Sequence, residues 1–157
     1  AYGWGLGRNR GVTADMLDRL DARVDEIIER EGRVPALVGW SLGGLYAREY
    51  AKLYPHKVAR VVTMGTPFSG SRRANHAWRL YQLVAGHDVD SPPVALHPAP
   101  KPPVPTFALW SPNDGIVAAA CARGLPHESD AAIEVNCRHI SFSFAPAAAR
   151  AVVRVLA

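Results

Sequence analysis

The chain has 157 residues, 48% of them hydrophobic and 20% charged, which fits one ordinary globular domain with a real core. Its net charge of +4 comes from scattered residues, mostly Arg, with Arg72-Arg73 the single adjacent pair and no basic stripe interleaved with aromatics. That pattern argues against nucleic-acid binding, and no apolar run approaches the roughly 18 residues of a membrane span. The two cysteines, Cys121 and Cys137, allow one bridge or two separate thiols, and neither falls in a metal-ligand spacing. The chain begins at Ala1 without a signal pattern, so processing, clipping or origin within a longer protein all stay open, and the compartment is unreadable.

Residues 1–6 read as a short strand end running into the polar turn Gly7 to Thr13. Thr13 is a candidate N-cap for a helix. Met16, Leu17, Leu20, Val24, Ile27 and Ile28 recur at three and four and make its apolar face, and Gly32 stops it. The interleaved Asp, Glu and Arg residues are its solvated side. Val34 to Val38 is a short apolar run suited to a buried strand, and from Leu42 a second amphipathic helix extends to about Tyr54-Pro55. Val58 to Met64 is the next strand, closed by Gly65-Thr66-Pro67. Strand, helix, strand at this spacing predicts a parallel sheet with crossover helices.

Residues 66–105 read as a cap-like insertion. Asn75 to Val84 carries Trp78, Tyr81 and Val84 at helical spacing, and Asp90 to Pro105 contains seven prolines that forbid a helix and favour a stiff connector. Thr106 to Trp110 and Ala131 to Cys137 are further strands, and Pro146 to Leu156 is a closing helix with Pro at a tolerated N-terminal position.

Gly39, Ser41 and Gly43 form G-x-S-x-G between an apolar strand and a helix, the context of a nucleophile elbow. Glycines let strand and helix approach while Ser41 stands at the tip. The N–H of Leu42, in the first turn of the helix, is a candidate oxyanion donor. A serine hydroxyl needs a base to take its proton, and an imidazole needs a carboxylate to fix its tautomer. In a parallel sheet such groups collect past the C-terminal ends of strands. Asp114 follows the strand ending at Trp110, and His139 follows the strand ending at Cys137. His56 falls at the opposite edge of the sheet, and His76, His87, His97 and His127 lie in connecting segments, so these read as surface histidines.

GWSLGG, MGTPFSG, WSPNDGIV and NCRHISF together resemble the α/β-hydrolase fold, most closely its lipase and carboxylesterase members, over nearly the whole chain. The resemblance implies carboxylic ester hydrolysis without a cofactor, and a triad carried over to Ser41, Asp114 and His139; no metal site is expected. It also implies several strands before the elbow, one ending in a His-Gly-type loop that supplies a second oxyanion N–H. No His-Gly precedes Ser41 here. The expected fold is therefore a single domain, residues 1–157: a reduced, mostly parallel α/β-hydrolase-like sheet flanked by helices. Its second oxyanion donor is expected from Gly5, Leu6 or Gly7, unless a second chain or missing upstream residues provide it. Trp40, Phe68 and Trp78 are candidate walls of a pocket for an uncharged acyl group on a small-molecule ester. The shortened sheet would leave an exposed edge, which predicts a homo-oligomer. The alternative is a weakly active or non-catalytic remnant with a binding or assembly role.

Overall fold

The computed structural model describes residues 1–5, 7, 15–70 and 97–157. The expected helix at 75–84, with Trp78, lies outside them, as do Leu6 and Thr13. The described elements are α1 (Met16–Glu31), β1 (Ala36–Trp40), α2 (Leu42–Leu53), β2 (Arg60–Met64), β3 (Thr106–Trp110), α3 (Ala119–Arg123), β4 (Ala131–Glu134) and α4 (Pro146–Leu156). The four strands form one parallel sheet in chain order, β1-β2-β3-β4.

The central strands β2 and β3 are short apolar runs because both of their faces are covered, whereas β1, expected as a buried strand, lies at an edge with Val38 and Trp40 exposed. Val61 and Val62 are neighbours in β2, so their side chains point to opposite faces. Val61 packs with Val24 of α1 and Ala47, Tyr50 and Ala51 of α2, whereas Val62 packs with Leu109, Phe142, and Ala148 and Val155 of α4. The sheet is thus the middle of three layers, with α1 and α2 on one face and α4 on the other.

Three strand boundaries differ from expectation, for local reasons. β1 begins at Ala36 rather than Val34, after Pro35, which has no N–H to give the ladder and offers only its carbonyl, to Ala59 N–H at 2.9 Å. β2 begins at Arg60, opposite the start of β1 in the register. β4 ends at Glu134 rather than Cys137 because β3 has already ended at Trp110, before Pro112, and the groups beyond turn to side chains. Asn113 Nδ2 donates to Asn136 Oδ1 at 2.7 Å, and Ser111 Oγ donates to the Cys137 carbonyl at 2.6 Å. α3 is five residues long, too short to leave a periodic pattern in sequence. Cys121 and Cys137 are both free thiols.

Arg48 ties α2 to the rest of the chain. Its buried guanidinium donates to the carbonyls of Pro98 at 2.6 Å, Ala99 at 2.9 Å and Glu128 at 2.8 Å, and lies 4.1 Å from the centre of the Phe68 ring. Burial pushes its pKa down to about 10, still far above neutrality. The end of the proline-rich connector and the turn before β4 are therefore clamped to the helix that follows Ser41.

On the far side of α2, Asp21 accepts hydrogen bonds from Lys57 Nζ at 2.8 Å and Tyr50 Oη at 2.7 Å. Partial burial favours its protonated form. The two hydrogen bonds and the Lys57 charge outweigh that and hold the carboxyl below its ordinary 3.8. A depressed folded-state pKa contributes stability that is present above the unfolded value and lost as pH falls through the folded one. Asp21→Asn should therefore flatten the fall in Tm below about pH 4, measured by circular dichroism against the parent.

Candidate active site

All four strands run the same way, so their C-terminal ends share one rim. Trp40 pairs with Met64, Met64 with Leu109, and Trp110 with Glu134. Hydrogen bonds carry the register one residue further, from Ser41 N–H to Met64 O and from Gly65 N–H to Leu109 O, each at 2.9 Å, and from Val135 N–H to Trp110 O at 2.8 Å. Whatever follows the strands is thereby brought together.

Ser41 links β1 to α2 directly, with φ 53° and ψ −122°, and is the one non-glycine residue with positive φ among the described residues. Its neighbours force this turn. A Cβ on Gly39 would lie 2.5 Å from Gly43 O and from Gly44 Cα, and one on Gly44 would collide with the Thr66 side chain. Strand and helix backbones are thus in contact, and the chain reverses within one residue. The cost of such a conformation is of the order of 1–3 kcal/mol and needs surroundings that hold it.

His139 follows β4 and is 2% exposed, and Asp114 follows β3 and is 4% exposed. His139 Nδ1 lies 2.8 Å from Asp114 Oδ2, and His139 Nε2 lies 3.0 Å from Ser41 Oγ. Asp114 Oδ1 accepts the N–H groups of Ile116 at 3.0 Å and Val117 at 2.6 Å, so both carboxylate oxygens are occupied and the group is held in place. The carboxylate claims the Nδ1 proton, which leaves Nε2 as acceptor toward the Ser41 hydroxyl. The three residues singled out in sequence thus form one continuous hydrogen-bonded line.

The remaining expectations fare differently. Leu42 opens α2, so its N–H has no helical carbonyl behind it to bond. Trp40 is at the rim, but its indole N–H donates to the His139 carbonyl at 3.0 Å. Phe68 is buried beneath Arg48 and, with Pro67 and Pro98–Pro100, borders a recess of about 270 Å³ that neither Ser41 nor His139 lines. The N-terminal segment lies over α1 and α2: Trp4 stacks on Tyr46 with ring centres 6.5 Å apart and packs in one cluster with Leu42. His56 sits in a 3₁₀ turn before β2, at the opposite end of the sheet from Ser41.

Sequence reasoning passed over Gly65. It has φ 53°, and a Cβ there would stand 2.9 Å from Asp114 Oδ2, 3.0 Å from Phe142 and 3.1 Å from His139 Nδ1. Its place directly after β2, between two strands whose ends carry the other groups, was the available signal. Ser111 was missed as well: its Oγ accepts the N–H of Asn113 at 3.1 Å while donating to Cys137, and so links the acid turn to the histidine segment.

A family model for the alpha/beta hydrolase fold matches residues 10–91, and the chain belongs to that family. Among curated relatives, it is 45% identical over 47 residues to a pimeloyl-[acyl-carrier protein] methyl ester esterase of Aromatoleum aromaticum, covering 30% of this chain and 19% of that protein. It is 39% identical over 62 residues to the enzyme of the same name from Sodalis glossinidius, covering 40% and 23%. These matches span about a fifth of the relatives' length. The fold is similar to that of Paleococcus ferrophilus monoacylglycerol lipase, with a TM-score of 0.59 at 21% identity over 94% of this chain and 77% of that one.

Gly65→Ala should keep the fold but force apart Asp114 and His139. We expect a loss of about 10²-fold in turnover of any substrate the site accepts, with Tm lowered by only a few degrees, checked by steady-state kinetics and thermal unfolding.

Proposed function

We propose that the domain is a serine hydrolase of carboxylic esters working through an acyl-enzyme. The observation that carries this reading is the unbroken line from Ser41 Oγ through His139 to Asp114, with bonds of 3.0 and 2.8 Å. Ser41 Oγ attacks the acyl carbon as its proton passes to His139 Nε2. The tetrahedral oxyanion rests on the Leu42 N–H and on a second donor expected from Gly5, Leu6 or Gly7, or from residues beyond this sequence. Asp114 steadies the imidazolium. His139 then returns the proton to the departing alcohol, and a water activated by the same imidazole attacks the acyl-serine and frees the acid. The names of the curated relatives support an ester substrate, and exposed apolar Ile140, next to His139 in the chain, favours an uncharged acyl group. No step of this reading calls for a metal or cofactor.

On p-nitrophenyl acetate and butyrate, the parent should release p-nitrophenol with a burst. Ser41→Ala and His139→Ala should lower turnover by about 10⁴-fold or more, and Asp114→Asn by about 10⁴-fold, with folding unchanged by circular dichroism. A parent with no burst and no labelling of Ser41 by a fluorophosphonate overturns the proposal and leaves the non-catalytic remnant.

A homo-oligomer is the accompanying expectation, because β1 ends the described sheet. Ser41 N–H and Pro35 O both point to β2, so by alternation Ala36, Val38 and Trp40 direct their backbone groups to the open side. Two such edges pairing would join the sheets of two copies. Light scattering after size exclusion should give twice the chain mass or more; a monomer at all concentrations counts against pairing.

A further inference from the structure

We infer that Trp40 is a positioning residue: its indole N–H holds the His139 backbone so that the imidazole stays in line with Ser41. The inference rests on the proposed nucleophile and base, and goes beyond it by assigning how the base is kept at bonding distance. It is an alternative to the expectation that Trp40 is a pocket wall.

Both backbone groups of His139 are engaged, and from two directions. Its N–H donates to the Asp114 carbonyl at 2.9 Å, and its carbonyl accepts the Trp40 indole N–H at 3.0 Å. The ring repeats the pattern, with Nδ1 on Asp114 and Nε2 on Ser41. Without Trp40, the His139 carbonyl keeps only the longer bond from Phe142 N–H, at 3.3 Å and from the next turn of its own segment, and every other tether except the reacting one comes from the acid turn. Such a residue still pairs with Asp114, but it can swing about that side and lengthen the gap to Ser41 Oγ. Trp40 supplies the opposing tether, and it immediately precedes Ser41 in the chain. The β1–β2 register that fixes Ser41 therefore also fixes the group that holds the base. A shift of β1 moves nucleophile and clamp together.

The state of the indole favours this role over packing. Trp40 is 38% exposed, so its ring is poorly buried, yet its N–H is spent on a backbone carbonyl 99 positions away. The ring centre lies 5.6 Å from that of His139, with the two planes tilted by 41°. On the other side the segment is anchored by buried Phe142, while Ile140 between them is 62% exposed and offers little restraint. The hydrogen bond is thus the main fixed point at His139 itself on the nucleophile side.

The test is Trp40→Phe, which keeps an aromatic ring and removes the donor. Benzothienylalanine at position 40, the same bicycle with sulfur for N–H, is the second variant should Phe impair folding. Two readouts are taken. In the first, kcat and KM are measured on p-nitrophenyl acetate, butyrate and octanoate. Positioning lowers kcat by about tenfold for all three, the scale of one hydrogen bond, with KM changed less than about twofold. In the second, the downfield proton NMR signal of the Nδ1 proton shared with Asp114 should be sharp in the parent and broadened by solvent exchange in the variant. Unchanged kcat together with an unchanged line overturns the inference. So does a KM that rises with acyl length at constant kcat, which marks a pocket wall, or a parent with no such proton. If the parent turns over no ester, the proposed function fails while the proton line alone still decides the role of Trp40.

Discussion

Everything at the rim depends on the backbone contact between β1 and α2. Gly39 lies against Gly43 and Gly44 with no room for a single added carbon. That closeness leaves no residues for a loop, so the reversal falls on Ser41 alone and drives it to φ 53°. Thr66 fits the space above Gly44, which brings the end of β2 against the same helix. A strained residue persists only where its surroundings over-determine it. Here they do so from four directions: the β1–β2 ladder, α2, the Thr66 loop and the bond to His139.

The rest of the site is a consequence of parallel order. In an antiparallel sheet, neighbouring strands would deliver their successors to opposite ends. With β1 to β4 parallel and in sequence, residues 41, 65, 114 and 139 reach one end although nearly a hundred positions separate the first from the last. The ladder alone leaves several ångströms of freedom, and side chains remove it. Ser111 and the Asn113–Asn136 pair join the acid turn to the histidine segment, and Arg48 holds the turn before β4 to α2. Much of the polar bonding among the described residues thus serves relations between strand ends.

This division explains what could be read in advance. Ser41, Asp114 and His139 were legible because each stands beside an apolar run, and such runs announce buried strands without any knowledge of partners. The helices at 16–31, 42–53 and 146–156 were legible from their periodicity. Strand limits were less so, since Pro35 and Pro112 act through hydrogen bonds they cannot make. The Trp40 bond to His139 was not legible, because the one polar atom of the side chain acts across 99 positions. Gly65 was passed over because a missing side chain shows its purpose only when the atoms that need the space are known.

The same physics leaves the strand that leads into Ser41 at an edge of the described sheet, as it does β4 at the other. β2 and β3 are paired on both sides, whereas β1 is paired only with β2, and Val38, 43% exposed, sits in its middle. The ladder and α2 hold its inner side well enough to maintain the turn at Ser41. They do nothing for the side that no described strand pairs with, where the backbone groups of Trp40 emerge next to Ser41. In the proposed reaction Leu42 N–H is one of two oxyanion donors, and loss of one such donor costs on the order of 10²–10³ in rate. An N–H that completes the pair must come close to Ser41 from a direction the sheet does not already fill. The open flank of β1 is such a direction, so stabilising the strand and completing the oxyanion site are the same structural problem.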